Sequence, residues 1–465
     1  MTENVVDVAE AVRSSERSPT EVVEAALARI AELDPAIHAF CALDADGARA
    51  QAAEIERRLA SGDQVGPLAG VPIGVKDLED AAGFRTVCGD PVRAHGPTAS
   101  ADSVEVARLR AAGAVVVGKT NTPAYGFHAE TDNLVFGPTG NPWAPHRTSG
   151  GSSGGSGAAV AAGLVSLCTG SDGGGSIRIP SAVCGIAGFK PTHGVVPNGD
   201  VAPPTWGPLS TRGPMARTFA EIAYALDVVK GVSALDLLSF DLPGSFADAA
   251  TRASLDGVRA VWSPTLGTAH PDADVIDTCE AALRALAAAG LDVVDTTDAI
   301  FDPPAVVAWI AQAAPGSWHT ATSDPTPWEG RFLPAAQFTA AFGEHTTAAQ
   351  MLNGQSGAHV ALQQLAALWE RASVLITPAM ATVPPKIGEP SPYGPGWAAD
   401  YTMPFNLVRS PAAVVPCGFV ERDGDRVPIA LQIVAPRCAD LELMSIATGA
   451  EAALGVLVPP RLTPQ

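Results

Sequence analysis

The chain has 465 residues, 47% hydrophobic and 17% charged, with 46 Gly and 40 Pro, which excludes a disordered or fibrous protein. At roughly 150 residues per domain the length allows about three domains, or one large sheet-based domain with insertions. A formal net charge of −20 repels phosphate backbones and anionic bilayers, so nucleic acid and membrane surfaces are not expected partners.

The first residues carry acidic side chains where an export signal needs a basic region and an apolar core. The longest apolar stretch, 158–168, is broken by Gly163 and Ser166 and falls short of the ~20 residues that cross a bilayer. Seven cysteines, an odd number without a C-x-x-C pair, suggest neither a disulfide framework nor a zinc ribbon. The expectation is a soluble protein of a reducing cytoplasm with buried thiols.

Ser18-Pro19-Thr20-Glu21 is a capping box with proline at the first helical position, and Val22, Val23, Ala26, Leu27, Ile30 and Leu33 recur behind it at helical spacing. With a further helix over 48–59, the first 60 or so residues read as mostly helical. Val71-Pro72-Ile73-Gly74-Val75-Lys76-Asp77 is a short apolar run ending in two charges, which puts Lys76 at the end of a buried strand. A helix over 102–112, a strand over 114–117, a Gly/Ser-rich segment over 149–157 and a small-residue helix over 158–162 follow. Residues 217–230 form an amphipathic helix, whereas 231–370 is helix-rich and irregular, with Trp309, Trp318, Trp328 and Phe332 scattered among prolines. That stretch reads as insertions over a site. The apolar runs 374–378 and 429–434 read as late strands returning to a sheet. Alternating strands and helices predict an α/β protein. No repeat or linker divides the chain, so 1–465 is read as one domain: N-terminal helices (1–64), a core (65–230), variable helical insertions near the site (231–370) and a return to the core sheet (371–465).

Three motifs mislead. Gly113–Thr120 fits G-x-x-x-x-G-K-[ST], but three consecutive valines fill a loop whose N–H groups would have to converge on phosphate, so Lys119 is read as ending a strand. Gly151-Ser152-Ser153-Gly154-Gly155 fits G-x-S-x-G and would make Ser153 a nucleophile with a histidine base. A strand should run into that elbow, and 143–148 reads as a proline-broken loop. His128-Ala129-Glu130 resembles half of a zinc-deaminase signature, but Pro416-Cys417 lacks the second cysteine, so no metal or cofactor is expected.

The glycine clusters at 148–157 and 170–176 alternate with apolar segments that must be buried, unlike a flexible linker. Gly173-Gly174-Gly175 directly before Ser176 lets successive N–H groups converge beside its hydroxyl, the geometry of an oxyanion hole.

Gly150–Ser156, Asp172-Gly173-Gly174-Gly175-Ser176-Ile177-Arg178, Cys184-Gly185 and Gly188–Gly194 resemble the defining block of the amidase signature hydrolases. Gly70–Asp77, Gly118–Asn121, Phe136–Trp143, Gly213–Thr218, Phe405–Leu407 and Val415–Gly418 are similar to the same family. The resemblance implies an α/β fold with a large twisted mixed β-sheet core covered by helices on both faces. It implies a triad of Ser176 as nucleophile, Ser152 as bridging serine with a cis peptide bond and Lys76 as base, with an oxyanion hole at Gly173, Gly174 and Gly175. A base lysine must be neutral at pH 7, and Val71, Ile73 and Val75 are surroundings that favour this; Asp77 points to the opposite face. By the same resemblance Ser153 gives supporting hydrogen bonds, Asp172 and Arg178 frame the loop, and Tyr125-Gly126-Phe127 wall the acyl pocket. Arg178 meeting an anionic substrate is the alternative, and Trp206 with Phe332 or Phe338 would add aromatic surface.

The implied activity is hydrolysis of C–N bonds in small or aryl amides through an acyl-enzyme, with carbamate or ester hydrolysis by the same triad as the alternative. A Ser-His-Asp hydrolase and the glutaminase subunit of a tRNA amidotransferase rank lower. The residues after Gly194, Val195 to Trp206, depart from that subunit's pattern. A small-molecule amide or carbamate is the expected partner, and a homodimer is compatible with the sequence.

Overall fold

The computed structural model describes residues 4–199, 205–298, 300–389, 391, 394, 397–459 and 462; residues 200–204, within the stretch after Gly194, lie outside them. In chain order the strands are β1 (Phe40–Leu43), β2 (Pro72–Lys76), β3 (Val115–Thr120), β4 (Gly140–Asn141), β5 (Ala144–Thr148), β6 (Leu167–Asp172) and β7 (Gly188–Lys190). They continue with β8 (Thr211–Ala216), β9 (Arg259–Trp262), β10 (Asp292–Thr296), β11 (Val374–Pro378), β12 (Ala412–Arg422) and β13 (Asp425–Val434). One five-stranded sheet runs β1-β3-β2-β6-β8 and a second, six-stranded sheet runs β10-β9-β11-β13-β12-β7; β4 and β5 form a small hairpin. Strand β2 is parallel to both β3 and β6, while β1 and β8 are antiparallel to their neighbours, so the first sheet is mixed. Strands buried on both faces read as continuous apolar runs rather than alternating ones, and every residue of β2 and β3 is buried.

The helix Pro19–Leu33 forms where the sequence predicts it, with Ser18 Oγ accepting from the N–H groups of Thr20 and Glu21; the serine half of the expected capping box is present, and Glu21 makes no return bond to the Ser18 N–H. It packs on β2 and β3, and the helix Phe219–Val229 packs on β8. The helix after the Gly/Ser segment spans Gly154–Ala161, four residues earlier than its alanines suggest. Glycine is required there because the helix meets backbone: a Cβ on Gly155 would stand 2.3 Å from the Asn121 amide nitrogen.

Two expectations need correction. Residues 143–148 are not an irregular loop: β5 forms there, with Gly140 and Thr148 in register. Nor is 231–370 a purely helical insertion, because β9, the helix Ala273–Ala288 and β10 extend the second sheet, with β9 and β10 parallel. Arg259–Trp262 is four residues long, too short for its apolar pattern to stand out. The later helices, Ala305–Thr322, Pro334–Ala341 and Ala348–Trp369, form an excursion in which the second and third pack on the first, and Trp309 of the first reaches the Gly173 carbonyl just after β6.

Candidate active site

Lys76 ends β2 wholly buried, its N–H bonded to Thr169 Oγ1 at 3.0 Å. Its Nζ lies 2.8 Å from Ser152 Oγ, 2.9 Å from Ser171 Oγ and 3.4 Å from the Ser171 carbonyl. A neutral amine has two N–H groups and one lone pair. Nζ faces all three oxygens as a donor, as an ammonium does; in the neutral form it keeps its donation to Ser171 and its lone pair is free to accept from the Ser152 hydroxyl. Asp77 turns away to Lys119, 3.5 Å from its Nζ, as the strand alternation predicts. Burial lowers the Lys76 ammonium to about 7; Glu79 and Asp172 pull the other way, and Arg212 adds to the lowering.

The Gly151–Ser152 peptide is cis. Ser153 stands at the N-cap of Gly154–Ala161 without capping it; its hydroxyl instead donates to the Ser171 carbonyl at 3.3 Å. Its N–H donates to the Ser176 carbonyl at 3.2 Å, which ties the two glycine-rich segments together. The hydroxyls of Ser152 and Ser176 both line one cavity, but no hydrogen bond joins them in this structure. Such contacts are often long in a free enzyme and tighten when substrate is bound.

Asp172 and Arg178 form a buried bidentate pair: Nη2 meets Oδ1 at 2.8 Å and Nε meets Oδ2 at 2.9 Å. Burial disfavours the Asp172 charge, yet Arg178, Lys190 and Asn406 hold its carboxyl well below the usual range. Arg178 also donates to the Thr402 carbonyl, Gln432 and Asn406 and is wholly buried. That excludes the reading in which it meets an anionic substrate. The Asp172 carboxylate further accepts from the N–H groups of Gly175, Ile177 and Arg178 at 2.7, 3.2 and 3.3 Å. Gly175 is therefore committed to Asp172 rather than to an oxyanion. The N–H groups of Gly173, Gly174 and Ser176 carry no hydrogen bond among the described residues.

Ser176, only 7% exposed, lies where two cavities meet. One is apolar, with Phe127, Ile179, Trp206, Trp309, Phe338 and Met403 in its walls, and holds about 180 Å³. The other is polar and holds about 340 Å³, with Ser152, Ser171, Arg93, Arg212 and His319 in its lining. Gly126 and Trp206 border both cavities. Phe332 is buried behind Phe127, edge to face at 6.2 Å, so Phe338 is the one that lines the cavity. Tyr125 is a correction: it faces the polar cavity, and its hydroxyl donates to Asp90 Oδ2 at 2.8 Å, held by a backbone φ of 51°. Asp90 in turn pairs with buried Arg331 from the helical excursion. Thr339 Oγ1 of the same excursion donates to the Phe127 carbonyl at 2.8 Å.

Sequence reasoning misses Trp309, Ser171, Arg212 and Thr402 as residues of the site. The only signal for the first is its place among scattered aromatics, and none marks the others. Arg331→Met leaves Asp90 buried without its cation, and such a loss costs about 3 kcal/mol. Denaturant unfolding is expected to show it; a loss under about 0.5 kcal/mol would mean the pair carries no net stability.

The Amidase family model matches residues 21–444. The acylamidase of Rhodococcus erythropolis is 33% identical over 463 residues, covering 97% of this chain and 95% of that protein. A glutamyl-tRNA(Gln) amidotransferase subunit of Acidothermus cellulolyticus is 35% identical over 477 residues, covering 96% and 94%. Among solved structures, a bacterial aryl acylamidase superposes with a TM-score of 0.88 at 28% identity, covering 97% of this chain and 96% of that one.

Proposed function

The chain belongs to the amidase signature family of amidohydrolases, enzymes that act on the C–N bonds of linear amides, and on that premise we propose that Ser176, Ser152 and Lys76 carry the reaction. The observation that bears most weight is the Lys76 amine, wholly buried, in direct contact with hydroxyl and carbonyl oxygens rather than with a carboxylate, and 2.8 Å from the Ser152 hydroxyl. Neutral Lys76 takes the Ser152 proton as Ser152 takes that of Ser176, and Ser176 Oγ attacks the carbonyl carbon. The N–H groups of Gly173, Gly174 and Ser176 receive the oxyanion. As the tetrahedral adduct collapses, Ser152 returns a proton to the departing nitrogen and recovers one from Lys76. Water, activated along the same relay, then attacks the acyl-enzyme and releases the acid and Ser176. Removing one such N–H donor costs about 3–4 kcal/mol of barrier in comparable sites.

Ser152 lines the polar cavity and not the apolar one, so the amine departs through the former and the acyl group occupies the latter. An apolar cavity of about 150 Å³ accommodates benzene. One of about 180 Å³ therefore suits an aryl or short aliphatic acyl group, and we read the substrate as a small or aryl amide. A urethane carbonyl fits the same triad and is the competing substrate. The net charge of −20 favours a free-standing hydrolase over a tRNA-linked assembly, and seven free cysteines suit a reducing cytoplasm.

A fluorophosphonate followed by peptide mass spectrometry tests the nucleophile. Label on Ser176, lost in Lys76→Ala, is expected; label on Ser153 would overturn the assignment. Anilides of aromatic acids are expected to exceed primary acetamides and carbamates in kcat/KM by tenfold or more, about the worth of filling an apolar pocket. A carbamate leading the panel would reverse the substrate reading.

A further inference from the structure

We propose that Trp309 is a positioning residue for the oxyanion hole, holding the Gly173–Gly174 peptide so that the Gly174 N–H faces the reacting carbonyl. The inference rests on the assignment of Ser176 as nucleophile. Trp309 Nε1 donates to the Gly173 carbonyl at 2.8 Å, a buried contact between residues 136 apart in sequence. In a trans peptide the C=O of one residue and the N–H of the next point in opposite directions from one plane, so fixing the first aims the second. The following peptide is held from both sides without Trp309: Thr402 Oγ1 donates to the Gly174 carbonyl at 2.5 Å, and the Gly175 N–H donates to Asp172 at 2.7 Å. For the peptide that presents the Gly174 N–H, the Trp309 indole is the side-chain hold the structure provides.

The fit between ring and loop depends on missing side chains. A Cβ on Gly174 would stand 3.0 Å from Trp309 Cζ2, and one on Gly173 would stand 2.3 Å from Trp206 Cε3. The two indoles meet edge to face at 5.2 Å, and Trp206 Nε1 is anchored on Ser317 Oγ at 2.7 Å. Trp309 also lines the apolar cavity with Ser176. The ring that contacts the acyl group therefore also aims a donor at its oxygen, so acyl fit feeds into kcat and not only into KM.

Replacing Trp309 with 3-benzothienylalanine removes the N–H and keeps the ring shape; Trp309→Phe removes the N–H with part of the ring. On an anilide substrate the benzothienyl enzyme is expected to lose about tenfold in kcat with KM within twofold, the scale of one lost hydrogen bond. Affinity for a trifluoromethyl ketone, which forms an oxyanion on the serine, should fall by a similar factor, while affinity for the product acid stays within twofold. Trp309→Phe should show the same kcat loss with an added rise in KM. Unchanged kcat and unchanged ketone affinity in the benzothienyl enzyme overturn the proposal, as does a rise in KM alone. Failure of the wild-type Ser176 to take a fluorophosphonate would instead remove the underlying triad assignment.

Discussion

Ser176→Ala and Lys76→Ala are each expected to lower kcat on an anilide by roughly 10⁴-fold or more, and the double variant by no more than either alone. The serine supplies the bond-forming electron pair, and a serine hydroxyl is a weak nucleophile without a base to take its proton. Lys76 reaches Ser176 only through Ser152, so the three groups act as one unit and their losses do not add. Residual activity above water would come from binding and from the N–H donors, which both variants retain. The competing reading, in which Ser153 works with a histidine, makes the opposite prediction. Two histidines line the cavities, His128 and His319. Burial lowers His128 to about 4, and its Nδ1 accepts from the Glu130 N–H. Ser153 already donates to the Ser171 carbonyl. His128→Ala and His319→Ala should stay within a few fold of wild type. A histidine variant that abolishes turnover while Lys76→Ala keeps it would transfer the mechanism to Ser153.

The parts of this site that can be read from sequence are those written within a few consecutive residues. The Asp172–Arg178 loop and the strand ending at Lys76 each carry their geometry locally, in glycines beside a serine and in apolar residues before a lysine. Burial alone does not single out Lys76 as the proposed base, because Lys119 and Lys190 are also wholly buried. What distinguishes Lys76 is its contact with Ser152, 76 residues away, and here the family resemblance supplies what spacing does not. Trp309 and Thr402 act across 136 and 228 residues through one hydrogen bond each, and Arg331 across 241 residues through a two-pronged ion pair with Asp90; none of these leaves a periodicity. Similar limits hold for the fold. Residues 374–378 are legible as a strand because all five are apolar or small and buried. Strand β12 is not, since Pro416 and Gly418 interrupt it, and the ladder shifts register between them.

Between pH 7 and pH 5 kcat/KM is expected to fall about fiftyfold, nearing tenfold per unit only below pH 6, because Lys76 must be neutral in the free enzyme and its ammonium is lowered to about 7. The groups that set this value are within reach of mutation. Glu79, on the turn after β2, and Asp172, at the end of β6, favour the ammonium; Arg212 on β8 opposes it. Arg212 lies opposite Ser171 in the β6–β8 register and pairs with Glu79 at 3.0 Å, and the two charges act on the lysine in opposite directions, Glu79 the more strongly. Glu105 next to Glu79 is pushed well up, first by burial and then by Glu79 itself. Removing the anion alone, Glu79→Gln, should move the acid limb to lower pH. Removing the cation alone, Arg212→Gln, should move it to higher pH by roughly one unit, about 1.4 kcal/mol between the two protonation states. The double variant should return it near the wild-type position, which separates an electrostatic effect from general damage to the fold. A pH–rate profile on one neutral anilide substrate measures all three. An acid limb that stays in place in both single variants would mean that the titrating group is not Lys76.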